Sequence, residues 1–275
     1  MGMSMLLAGG DEPRLFSPAM IVTGIVALGV ALIAGVPRRV NGPRRLSEKE
    51  NSSDVLGIAG LGLMAWAAAM FFMNRWMPAK PTDAELLTFN GGTELAAFIF
   101  MLFGSATMRR EGLRRMGLSL QALPRGIVLG ILAIIVVLPL MFCVSAASES
   151  VWRSIHYEHP EAHDMLLMLT RDHQSVLMTV AIVASATIIA PLAEEMFFRG
   201  CIQTIIRYST NWPWLAIIIT SLLFALIHPL WTAPPIFFLS VCLGYLYERT
   251  ANLWACMILH ALFNSCSIYL YLHMH

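Results

Sequence analysis

The feature that most constrains this chain is a series of eight apolar segments separated by short polar breaks. They lie at about 17–36, 55–73, 86–107, 126–147, 176–206, 212–230, 233–248 and 251–272. A membrane-crossing helix needs about 20 predominantly apolar residues, and most of these runs are close to that length. Lipid admits only helices and closed barrels as spanning structures, and the runs lack the period-2 alternation of barrel strands. The expected fold is therefore an all-α polytopic transmembrane bundle of about eight spanning helices. Charge is scarce to match: 13% of the 275 residues are charged and 57% are hydrophobic, whereas soluble domains carry about a quarter charged residues. That balance excludes a water-soluble enzyme, a disordered chain and a nucleic-acid binder. The net charge of +1 favours neither acidic nor basic partners. Five cysteines without CxxC spacing make neither a disulfide framework nor a zinc ribbon, and they read as small buried hydrophobes.

Orientation follows from the basic residues. With the N-terminus outside, one side collects Arg38, Arg39, Arg44, Arg45, Lys49, Arg109, Arg110, Arg114, Arg115, Arg125, Arg199, Arg207 and Arg249. The other side holds Arg14, Arg75, Lys80, Arg153 and Arg171. The excess marks the first side as cytoplasmic and places both termini outside the cytoplasm. Asp11, Glu12 and a single Arg14 precede the first apolar run, which is a poor n-region for a signal peptide.

Charge inside an apolar run is costly in lipid and marks function by default. The fifth segment carries Pro191, Glu194, Glu195 and Arg199. On a helix Glu195 and Arg199 share a face at i,i+4, whereas Glu194 points about 100° away. Arg199 can thus neutralise Glu195 and leave Glu194 facing the bundle, with Pro191 breaking the hydrogen-bond ladder just upstream. The sixth segment ends with Phe224 and His228, and the eighth carries His260 and Asn264, both pairs at i,i+4. Counted from the inner surface, Glu194, His228 and His260 lie at depths of about 18, 24 and 14 Å, close enough to converge.

Assembled, these residues resemble the CAAX protease and bacteriocin-processing (CPBP, or Abi) family of intramembrane endopeptidases. That family carries EExxxR, FxxxH and HxxxN motifs on successive helices. Here they read Glu194-Glu195-x-x-x-Arg199, Phe224-x-x-x-His228 and His260-x-x-x-Asn264. The resemblance covers roughly 176–272, giving a catalytic helical core behind an N-terminal part, 1–175, of four helices and an extracytoplasmic loop. It implies that Glu194 is the general base that activates water, with Glu195 and Arg199 as its supporting pair. His228 and His260 would orient that water or bind a metal, and Asn264 would stabilise the oxyanion. Two His with Glu194 could form a zinc site, while a metal-free glutamate mechanism uses the same residues; both readings stay open. The implied partners are a membrane-embedded or membrane-associated peptide substrate and the lipid bilayer, and the implied location is a bacterial inner membrane. The rival functions are a non-proteolytic scaffold or bacteriocin-immunity protein, and a proton-coupled transporter.

Two polar clusters fall outside the motifs. The stretch His156–Asp164 reads as an exposed, mixed-charge loop, with Pro160 interrupting any helical face. Glu94, beside Asn90 and Thr93 in the third segment, reads as a hydrogen bond between helices or as part of the cavity wall.

Overall fold

The computed structural model describes residues 50–274 apart from 77, 79, 108–115, 161, 163 and 172–174. The segment at 17–36, the basic residues up to Lys49 and Arg109–Arg115 lie outside the described residues. Within them the chain is all-helical, without strands. Helix α1 runs Glu50–Trp76, α2 Asp83–Thr107, α3 Leu123–Ser154 and α4 Asp164–Leu169. A continuous helix, α5, covers Val176–Thr210, followed by α6 Pro213–Leu226, α7 Ala233–Thr250 and α8 Leu253–Met274.

Local chemistry sets these boundaries. Thr82 and Glu85 cap α2 reciprocally: Thr82 N–H donates to Glu85 Oε2 at 2.8 Å and Glu85 N–H donates to Thr82 Oγ1 at 3.3 Å. Ser175 Oγ accepts the Met178 N–H at 3.2 Å and starts α5. Proline sits in the first turn of α3, α6 and α7, where its missing N–H costs nothing. Helices α5 and α7 stop at residues in the left-handed region, Asn211 and Ala251.

Every apolar segment within the described residues is a helix, but the expected count of spans is not confirmed. Among the described residues four helices are long and apolar enough to cross a membrane: Asp83–Ser105, Leu120–Ser154, Val176–Thr210 and Leu253–His273. Helix α6 has 14 residues, about 21 Å at 1.5 Å per residue, and Pro229 lies just beyond its end. The polar stretch 148–175 is also more ordered than a loop: α3 continues through Ser154 and α4 forms within it.

Helix α5 threads the middle of the bundle, touching α1, α2, α6, α7 and α8. Ile58, Met101, Met196 and Leu253 join α1, α2, α5 and α8 in one apolar core. Val137, Met141, Leu243 and Leu259 join α3, α7 and α8 in another. Gly126 and Gly130 let α3 close onto α8: a Cβ there would fall 2.5 Å from Trp254 Cβ and 2.6 Å from Ile258 Cγ2, the small-xxx-small device of membrane helix pairs. The outer surface exposes large apolar side chains such as Phe103, Val128, Ile135 and Leu222, as expected where lipid is the solvent.

Candidate active site

Pro191 dictates the backbone around the carboxylates. Upstream of it α5 widens into a π turn, Ser185–Ile189, in which the Ala190 N–H bonds back to Ser185 O. The next bond of that ladder would run to Ala186 O from residue 191, and proline has no N–H. Asn264 of α8 supplies the missing donor, with Nδ2 2.8 Å from Ala186 O. A short α-helical stretch, Ala190–Glu195, follows, and then a second π turn, Met196–Gln203. Such turns are concentrated at functional sites.

Even with Arg199 inside the second π turn, the Glu195 and Arg199 side chains meet as the i,i+4 spacing predicts. Arg199 Nη1 donates to Glu195 Oε1 at 3.0 Å, and both side chains are fully buried. An ion pair out of water is tolerable only when further hydrogen bonds satisfy it. Arg199 Nη2 accordingly donates to Ser240 O at 3.1 Å and to Ser240 Oγ at 2.7 Å, and the guanidinium lies 5.0 Å from the Phe224 ring centroid. Glu194, turned off that face, keeps 20% of its side chain exposed.

His260 joins the two carboxylates. Its Nδ1 lies 2.8 Å from Glu195 Oε1. Glu195, paired with Arg199, is the acceptor there, so Nδ1 is the ring's donor. Nε2 then faces Glu194 Oε2 at 3.7 Å, close enough for one water molecule to reach both. This is the carboxylate–histidine arrangement that fixes a ring's tautomer and orientation.

His228 sits differently from its expected place inside a helix. Helix α6 ends at Leu226, and His228 lies in the turn just beyond. Its Nδ1 is 2.7 Å from Phe224 O; a carbonyl only accepts, so Nδ1 is again the donor. The Phe224 ring, 1% exposed, is the wedge between elements. Its centroid lies 4.9 Å from the His228 ring, 6.0 Å from the His260 ring and 4.8 Å from Phe198. The structure thus brings Glu194, Glu195, Arg199 and His260 into direct contact. Phe224 connects His228 to them, and Asn264 binds the α5 backbone, with a second amide hydrogen that this bond does not use.

No three His, Cys, Asp or Glu side chains among the described residues are placed to hold a metal ion. His260 spends Nδ1 on Glu195 and His228 spends Nδ1 on Phe224 O, with the Phe224 ring against both imidazoles. Each ring keeps Nε2, the nitrogen through which a histidine that donates by Nδ1 would hold a metal ion. The five cysteines form no disulfide.

Sequence reasoning missed Ser240, a lone hydroxyl on an apolar helix, and the wedge role of Phe224. It also misread part of the His156–Asp164 stretch. His159 stacks on Trp231 at 4.9 Å with an interplanar angle of 2°. Its Nε2 is 3.3 Å from Glu149 Oε2, with only 6% of the side chain exposed. The ring therefore packs into the end of the bundle, beside the turn that follows His228.

Residues 174–266 match a family model described as Rce1-like, type II CAAX prenyl endopeptidase Rce1-like. This agrees with the CPBP resemblance carried by the three motifs and supports an intramembrane endopeptidase in an integral membrane protein. No curated protein and no solved structure matches the chain.

Proposed function

We propose that this protein hydrolyses a peptide bond of a membrane-associated peptide with water activated by Glu194, a reading supported by the match of residues 174–266 to an Rce1-like family model. The observation that supports it most is His260, whose ring spans from the Arg199-paired Glu195 to Glu194. Glu194 is the partly exposed carboxylate of the pair, and so the one that water and substrate reach.

In this reading Glu194 takes a proton from water as the oxygen bonds to the substrate carbonyl carbon. The oxyanion that forms is met by the Asn264 amide hydrogen that Ala186 leaves over, while His228 at the α6 terminus, whose Nε2 accepts, helps to orient the attacking water. The tetrahedral species collapses with cleavage of the C–N bond, and the proton held by Glu194 passes to the leaving amine. Glu195 and Arg199 hold His260 in place and take no proton. General-base catalysis of this kind contributes about 10²–10⁴-fold.

The test is a cleavage assay in proteoliposomes with a fluorogenic peptide carrying a lipid anchor. Glu194→Ala should lower kcat by about 10²–10⁴-fold with little change in thermal stability. Cleavage that survives Glu194→Ala overturns the glutamate reading. A chelator arm addresses zinc: activity lost to chelator and restored by zinc alone would mean that Glu194, His228 and His260 rearrange around a metal.

A further inference from the structure

The stretch after α3 does more than end that helix. At its close the His156 N–H donates to Arg153 O at 3.1 Å and the Tyr157 N–H to Trp152 O at 2.9 Å. In this paired closure the first residue past the helix turns left-handed, and His156 does so, with φ 54°. The reversal folds the chain back over the end of α3. It brings the Tyr157 ring to 5.0 Å from Trp152 and the His159 ring to 6.2 Å from Tyr157, centroid to centroid. His159 is held at both nitrogens: Nδ1 lies 3.0 Å from Pro160 O and Nε2 3.3 Å from Glu149 Oε2. Glu149 is itself tied down on α3, where Arg153 Nε donates to its Oε1 at 2.9 Å.

What this assembly grips is the turn between α6 and α7, residues 227–232, which carries His228. Within it the backbone closes on itself. The His228 N–H donates to Ala225 O at 3.1 Å, and the Thr232 N–H and Oγ1 donate to Pro229 O at 2.9 and 2.8 Å. Those bonds shape the turn but do not place it against α3. Ile227, Pro229 and Leu230 are exposed, whereas His228 and Trp231 are half-buried. Trp231 is the residue that reaches α3 and the stretch beyond it. Its carbonyl accepts the Trp152 Nε1–H at 3.1 Å, and its ring stacks on His159 at 4.9 Å with an interplanar angle of 2°. Three residues span at most about 11 Å, so a hold on Trp231 is a hold on His228.

We propose that Trp152 and His159 are positioning residues for His228. They clamp the α6–α7 turn by its backbone and by its Trp231 ring, and so keep His228 Nε2 where the attacking water can bond to it. This rests on the proposed part of His228 in hydrolysis. It adds two residues from outside the matched stretch 174–266 to the working of the site. The bond from Trp152 goes to a carbonyl and is indifferent to the side chain at 231, whereas the stack depends on that side chain. The two ties can therefore be cut separately.

Trp152→Phe keeps an aromatic ring and removes the indole N–H. In the proteoliposome cleavage assay its kcat should fall by about tenfold, the worth of one hydrogen bond, with KM unchanged because substrate binding is untouched. Trp231→Ala, which removes the stack, should behave in the same way, and Trp231→Phe, which restores a ring, should cleave much as wild type does. Should Trp152→Phe fail to fold, His159→Phe, which keeps the stacked ring and loses both hydrogen bonds, carries the same test. Hydrogen–deuterium exchange gives a readout that does not depend on turnover. In Trp152→Phe the His228 and Thr232 amides should exchange faster by about tenfold, while the amides around His260 on α8 keep their wild-type rates. A Trp152→Phe protein with wild-type kcat, or with wild-type exchange at both turn amides, would overturn the proposal. So would faster exchange throughout α8, which marks a general loosening of the bundle. If wild type cleaves no lipid-anchored peptide while Trp152→Phe still frees the turn, the protease reading falls and the clamp on the His228 turn stands.

Discussion

Two helices of this bundle invite comparison because they begin from similar sequences. The spans Leu120–Ser154 and Val176–Thr210 are each 35 residues long, and each contains an internal proline, Pro139 in α3 and Pro191 in α5. Yet α3 stays α-helical across its proline, while α5 opens into a π turn on either side of the Pro191 segment. Proline alone therefore does not set the backbone. What distinguishes α5 is polar traffic with its neighbours: Asn264 reaches its Ala186 carbonyl, His260 its Glu195, and Ser240 its Arg199. Helix α3 faces α7 and α8 with apolar side chains and two glycines. One helix is held by packing, the other by hydrogen bonds that also carry the chemistry.

The largest expected effect breaks the polar side of this contrast. Arg199→Met leaves Glu195 without its cationic partner among fully buried groups, so unfolding in detergent micelles should be easier by about 3–5 kcal/mol and cleavage should disappear. Because an apolar pair can replace a buried ion pair at little cost, Arg199→Met combined with Glu195→Leu should recover much of the stability and none of the activity. A single variant as stable as wild type would mean that α5 is held by packing, as α3 is.

A smaller effect sharpens the role of Asn264. Replacing it by Ala leaves Ala186 O without the donor that Pro191 cannot supply, a loss of about 1–2 kcal/mol. Pro191→Ala returns an N–H to the backbone at that place. The double variant should therefore lose less than the sum of the singles, with a coupling of about 0.5–3 kcal/mol measured in the same unfolding assay. Strict additivity would show that the Asn264 bond and the missing proline N–H are unrelated.

These cases also mark how far the sequence could be read. The seven apolar segments within the described residues, the Glu195–Arg199 face and the separate face taken by Glu194 all follow from hydrophobicity and the 3.6-residue period. The break at Pro191 was legible; its form was not, since a π turn depends on which carbonyl a neighbouring helix can reach, and Asn264 lies 78 residues from Ala186. Ser240 carried no signal for the same reason, being a small hydroxyl that matters only through a partner 41 residues away. His228 was displaced from its expected helix because Pro229 favours an end to the turn before it. The span count is not confirmed, and α6 shows one reason: its apolar run outlasts its helix.

The smallest expected effect returns to the prolines. If polar contacts from α7 and α8 shape α5, then removing the proline of α3 should change almost nothing. Pro139→Ala restores an N–H inside a helix that already continues on both sides of it, and no catalytic side chain hangs from that turn. Its Tm should stay within a few degrees of wild type, a stability change of roughly 0.5 kcal/mol or less, and kcat should be unaltered. Pro191→Ala should instead lower kcat several-fold. An N–H at residue 191 competes with Asn264 for Ala186 O, and a restored α-helical ladder would rotate Glu194 relative to His260. A chain in which both substitutions are silent would put the placement of Glu194 in the packing of α5, independent of its π turn.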